Sequence, residues 1–230
     1  MKRAARNPDV RLRELERRAS QGDAQAAAQL LQERVRAGRV SIRNVQLAAA
    51  LGHPVALRVA VPADLPPSGM WGPAQFARMP ERWPEDTLDP KTRRLWAADM
   101  AERALRRELS LGREPHLDSF AAIEIARGSP TAQQLHWAYS DARAAANEAG
   151  DQYLAARTSS TFPIGLFRAA AAAEAVVGAV SGPRAGVRHS YGALMNNYKP
   201  QNPVGVASEE EWARDALARR LLGLEVTLWP

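Results

Sequence analysis

The sequence predicts an all-α protein, and three observations carry that expectation. Alanine and arginine dominate, while aromatic residues make up only 6% of the chain, and alanine is the strongest helix former. Apolar residues recur at spacings of three and four rather than in alternation. Helix start signals (Asp or Ser before a proline or an apolar run) and glycine stops follow one another at short intervals. A length of 230 residues allows one large core or two small ones.

Asn7-Pro8 and Asp9 open a helix to about Ser20, with a thin apolar side of Val10, Leu12, Leu15 and Ala19. Gly22-Asp23 opens a second, to Ala37, with Ala27, Leu30, Leu31 and Val35 inward and Gly38 as its stop. Ser41 caps a third, with Ile42, Val45 and Ala49 inward and Leu47 beside them. Pro54 starts a short fourth, from Val55 to Val61. Residues 1–61 thus read as a basic N-terminal unit, either a short helical bundle or an α-solenoid-like piece. The stretch from Gly22-Asp23-Ala24 to Ala48-Ala49-Ala50-Leu51-Gly52-His53-Pro54 resembles one helix pair of Sel1-like and related α-repeats. The resemblance spans about residues 9–61, with no second copy at a fixed period.

Residues 62–90 hold prolines at 62, 66, 67, 73, 80, 84 and 90, with Trp71, Phe76 and Trp83 between them. That density excludes a regular helix, and two tryptophans point to an ordered connector wrapped over a helical surface. Residues 91–230 read as a larger alanine-rich helical bundle. Asp89-Pro90 caps a helix to about Leu109, and Asp118 caps a short one through Phe120, Ile123 and Ala126, ending at Gly128. Ser129-Pro130 opens a helix to Ala149, with Leu135, Ala138, Ala142 and Ala145 on a narrow stripe. Gly150-Asp151 then resets the chain for a brief helix through Tyr153. Pro163 to Val180, the most apolar stretch, is expected at the bundle centre. Residues 181–207, with Gly, Pro, Asn, Tyr191 and Tyr198, read as a long loop. Ser208 to Glu211 reads as a capping box for a last helix to Leu222, and the tail through Trp229 is expected to dock on the body.

The net charge of +6 is concentrated at one end: residues 1–43 carry eleven Lys and Arg against five Asp and Glu, and the remainder carry twenty of each. Arg11, Arg18, Arg34 and Arg36 are the candidate anion-binding residues, with a solvated helix face as the ordinary alternative. The absence of cysteine excludes disulfides and thiolate chemistry. Met1 to Arg6 runs into Asn7-Pro8-Asp9 and a charged helix, which is not a signal-peptide pattern, so a cytoplasmic location is expected. The histidines at 53, 116, 136 and 189 lack the i, i+4 spacing of a helical zinc site. Phosphate-loop and nucleophile-elbow patterns are missing. Neither metal nor cofactor nor catalytic residue is expected. Asp99 and Glu102, beside Arg103 and Arg106, read as a surface ion-pair cluster, and Glu209-Glu210 as first-turn acids.

Trp96-Ala97-Ala98-Asp99-Met100-Ala101-Glu102-Arg103-Ala104-Leu105, Phe120-Ala121-Ala122-Ile123-Glu124-Ile125-Ala126-Arg127-Gly128 and Glu210-Glu211-Trp212-Ala213-Arg214-Asp215-Ala216-Leu217 appear in that order. Over about residues 93–224 the chain resembles an alanine-rich helical family of bacterial immunity proteins, found near polymorphic toxins. The resemblance implies a non-enzymatic helical module that neutralises a partner protein, and it assigns no catalytic residue. The candidate contact residues are Trp71, Trp83, Trp137, His189, Tyr191 and Tyr198. For Trp137, packing against a neighbouring helix is the ordinary alternative. A nucleic-acid or anion-binding accessory, or a structural subunit of a larger assembly, are the other functions the sequence allows.

Overall fold

The computed structural model describes residues 8–63, 80, 83, 86–110, 117–156, 183–196 and 203–228. Among the described residues there are nine helices and no strand. They are α1 (Pro8–Ser20), α2 (Ala24–Arg36), α3 (Ile42–Ala50), α4 (Pro54–Leu57), α5 (Pro90–Ser110), α6 (Leu117–Arg127), α7 (Ala132–Ala156), α8 (Pro183–Asn196) and α9 (Pro203–Leu221). None of these helices is long and apolar enough to cross a membrane. The chain forms two compact units, Met1–Ala77 with Leu221–Glu225, and Arg78–Arg220 with Val226–Pro230.

In the first unit, local capping sets the helix boundaries. The Asp23 carboxylate accepts hydrogen bonds from the N–H groups of Gln25 and Ala26 at 2.9 and 3.0 Å, and Ser41 Oγ accepts from Asn44 N–H at 3.0 Å. Gly38 has φ +68° just past α2, a left-handed conformation that spares glycine the Cβ penalty. There the Arg39 N–H donates to Arg34 O at 2.9 Å and closes the helix end. Leu15, Ala26 and Leu30 make the α1–α2 core, with Leu12 and Ala19 against it. Val10 and Ile42, expected inward, are exposed. Both stand in the first turn of their helices, where the packing seam has not yet closed. Helix α4 ends at Leu57 rather than Val61, and His53 Nδ1 accepts the Ala56 N–H at 3.4 Å as its cap. The Asn44 side-chain amide donates to Leu221 O at 3.2 Å, tying the end of α9 into this unit.

In the second unit, Asp89 and Pro90 start α5 as the sequence predicts: Thr92 N–H donates to Asp89 Oδ1 at 2.9 Å and its hydroxyl to Oδ2 at 2.5 Å. Four other boundaries depart from expectation. Helix α7 is capped by Thr131, whose hydroxyl accepts from Gln134 N–H at 3.2 Å while Gln134 Oε1 accepts the Thr131 N–H at 2.8 Å. This is a reciprocal capping box two residues beyond Ser129. The same helix runs unbroken through Gly150 to Ala156, because an interior glycine costs only about 1 kcal/mol relative to alanine. Residues 183–196 are helical where a loop was expected, and α9 already starts at Pro203, so Ser208 lies inside it. In both, proline stands at the first helical position, where its missing N–H is harmless. The expected Pro163–Val180 helix, Asn7 and most of the 62–90 connector lie outside the described residues.

Helix α5 is the buried member of the second unit. From Trp96 to Leu105 every residue is buried, so the helix is covered on all sides, although five of its buried positions in and after that run are Asp99, Glu102, Arg103, Arg107 and Glu108. It packs most extensively on α8 and also on α6, and α6 packs on α7.

Partial burial works to raise the pKa of Asp89. Hydrogen bonds from the Thr92 hydroxyl and N–H and from the Lys91 N–H outweigh it, holding the carboxyl below its ordinary value. A group with a depressed folded pKa stabilises the fold above its unfolded pKa and loses that contribution as pH falls through the folded one. Asp89→Ala is therefore expected to destabilise the protein by about 1 kcal/mol at pH 7. In urea denaturation followed by circular dichroism, the gap between parent and variant should close below about pH 4. A gap independent of pH would show that the carboxylate is not the cap.

Candidate functional site

The densest group of ionisable side chains is buried on α5, where the sequence had read surface pairing. Asp99, 0% exposed, is gripped from two helices. Arg220 of α9 donates Nε to its Oδ2 and Nη2 to its Oδ1, both at 2.6 Å, and Arg127 of α6 donates Nη2 to Oδ1 at 2.9 Å. Arg127 Nη1 pairs with Glu102 Oε2, and Arg106 Nε donates to Glu102 Oε1 at 2.5 Å. Burial opposes the charge on Arg127, but Asp99 and Glu102 outweigh it and hold the guanidinium protonated above its ordinary range.

A second group gathers around Glu209, also buried. Arg103 approaches it with Nε at 2.7 Å and Nη2 at 3.1 Å, and Arg107 Nη2 lies 2.7 Å from its Oε1. Glu209 was expected in a helix first turn; because α9 starts six residues earlier, it instead faces α5. The Arg103 guanidinium stacks 4.4 Å from the Trp212 ring centroid and donates Nη1 to Leu228 O at 2.5 Å. Trp212 Nε1 donates to Thr227 O at 2.9 Å, so the tail docks as expected. Trp96 Nε1 donates to Ala213 O at 2.8 Å, and Arg94 Nε donates to Ala126 O at 2.8 Å at the carbonyl end of α6.

In these groups every buried carboxylate faces arginine rather than another carboxylate or a histidine. That arrangement joins helices. Among the described residues no three or more His, Asp or Glu are placed to hold a metal ion.

The contact residues singled out by sequence fall in different places. Trp83 is buried, 7% exposed, and so packs rather than presents its ring. His189 and Tyr191 fall on α8, with Tyr191 half-buried. Trp71 and Tyr198 lie outside the described residues. Of the arginines, Arg11 reaches Glu33 at 3.6 Å, Arg36 reaches Glu33 at 3.0 Å and Arg18 reaches Asp23 at 2.5 Å. Among the described residues, Arg34 has no carboxylate partner.

Trp137 is 56% exposed. Helix α7 buries Ala138, Ala142 and Ala145 on one side and leaves most of its circumference to solvent. Along the outer side run Trp137, Asp141, Ala144, Glu148, Asp151 and Ala155, all exposed. At 3.6 residues per turn they fall within about 40° of Trp137 on either side, an arc of about 80°, and extend about 27 Å. Sequence reading found the alanine stripe of this helix but missed the second one, whose alternating four- and three-residue spacing was its signal.

Asp99→Ala strands two arginines and should destabilise the protein by about 3–5 kcal/mol in urea denaturation. Replacing Asp99 and Arg220 together with Leu and Met, which leaves Arg127 paired with Glu102, should recover part of that loss. A loss below about 1 kcal/mol for the single variant would contradict a buried clamp.

No family model matches the chain, and neither a curated protein nor a solved structure is significantly similar to it.

Proposed function

We propose that the chain is a non-enzymatic protein-binding module that meets its partner through the outer face of α7. The carrying observation is Trp137, a large aromatic left more than half exposed on a helix that packs through a narrow alanine stripe. An exposed tryptophan wastes apolar surface in the free protein and becomes an anchor once a partner covers it. The closed ion pairs of Asp99, Glu102 and Glu209 support a scaffold role for the buried charges rather than acid–base work. The likeness to immunity proteins makes toxin neutralisation the specific form of this reading, with the partner a toxin domain.

A weaker reading gives residues 1–43 an anion- or nucleic-acid-binding role. It is favoured by Arg34, Arg39 and Arg43, which have no carboxylate partner among the described residues. Salt-sensitive retention on immobilised DNA, reduced by Arg39→Ala with Arg43→Ala, would support it.

For the principal reading, a photo-crosslinking amino acid at position 137 should capture one protein in the native host that the same probe at Arg13 does not. With that protein purified, Trp137→Ala should weaken binding by about 2 kcal/mol, roughly 30-fold, in titration calorimetry. Equal affinity for parent and variant would overturn the proposal.

A further inference from the structure

The chain after α9 is divided between the two units. Leu221–Glu225 belongs to the first, and Val226–Pro230 returns to the second. Leu221 and Leu222 are 2% and 0% exposed. Within residues 8–63 of the first unit, the buried apolar side chains larger than alanine are Leu15, Leu30, Leu31, Val40, Val45 and Leu47 among the described residues. Two further leucines are a large addition to so small a core, where each missing side chain is felt. The Asn44 amide reinforces their seat from 177 positions away by donating to Leu221 O at 3.2 Å. That carbonyl lies in the last turn of α9, where a helix leaves its carbonyls without an internal partner.

Gly223 turns the chain at φ +64°, a left-handed conformation in which glycine avoids the Cβ penalty. A few residues on, the tail is fastened again, this time in the second unit. Trp212 Nε1 donates to Thr227 O at 2.9 Å, and Arg103 Nη1 donates to Leu228 O at 2.5 Å with its guanidinium over the Trp212 ring. We infer that Leu221–Glu225 is a strap that completes the first unit, and that the clip formed by Arg103 and Trp212 keeps it seated. A segment fixed on both sides has little conformational freedom left to lose when its leucines are buried. One fixed only at the end of α9 must be ordered anew, at an entropic cost. Loosening the clip in the second unit therefore loosens the core of the first. Any event that pulls the tail from Arg103 and Trp212 acts on the N-terminal helices without touching them. The strap is independent of the α7 contact face.

Hydrogen–deuterium exchange with mass spectrometry on the full chain reads both units in one experiment. Leu222→Ala should speed exchange over α3 (Ile42–Ala50) at least tenfold, while the buried run of α5 from Trp96 to Leu105 keeps the parent's rate. Asn44→Ala, which removes only the hydrogen bond to Leu221, should speed α3 at least threefold, and it decides the matter if Leu222→Ala leaves the chain unfolded. Trp212→Phe keeps a ring beneath Arg103 but loses the N–H to Thr227. It should also speed α3 at least threefold, although Trp212 belongs to the second unit. Parent-like α3 exchange in Leu222→Ala and Asn44→Ala overturns the seat. Parent-like α3 exchange in Trp212→Phe overturns its dependence on the clip. Acceleration of α5 as large as that of α3 in Trp212→Phe is general loosening and overturns the strap as well.

Discussion

A carboxylate with no access to water cannot stand alone, and Asp99 shows how this fold answers that constraint. Its two oxygens accept three hydrogen bonds from arginines on α6 and α9, so α5 can be covered on every side while carrying charge. Were the clamp absent, burying those groups would cost several kcal/mol each, and a helix with this sequence would belong on the surface. The Glu209 group repeats the arrangement further along α5. Between them the two groups fix which helices face α5 and in what rotation, a specificity that uniform alanine surfaces cannot provide.

The same division of labour explains why the outer helix differs from the inner one. Helix α5 spends its polar residues on holding neighbours. Helix α7 touches the body through small residues, Ala138, Ala142 and Ala145, that let its backbone come close. Its large and charged side chains are left facing away. A helix held by its narrowest side keeps its broad side available, and that is where the exposed indole is found.

Much of the fold could be read from local signals. Asp23, Ser41 and Asp89 act within three residues of themselves, and the helix starts they set were found where expected. Signals depending on distant residues were not legible. Asp99 meets partners 28 and 121 positions away, and Arg103 meets one 106 positions away, so their neighbours Glu102 and Arg106 made them look like ordinary surface charge. Composition misled at α8, where Gly, Pro and Asn suggested a loop although Pro183 occupies a position that tolerates it. At Gly150 a residue that usually ends helices was simply carried through. For Trp137 the sequence left open packing on a neighbouring helix or exposure, with packing the ordinary case, and the side chain is 56% exposed.

The account stands on the claim that Asp99 and Glu209 are clamped between helices and the α7 face is open. Hydroxyl-radical footprinting with mass spectrometry measures both in one experiment. Trp137 should oxidise at least ten times faster than Trp96 in the free protein and become protected when the partner binds, with Trp96 inert throughout. Slow oxidation of Trp137 in the free chain, or partner protection appearing around Asp99 and not on α7, would contradict it.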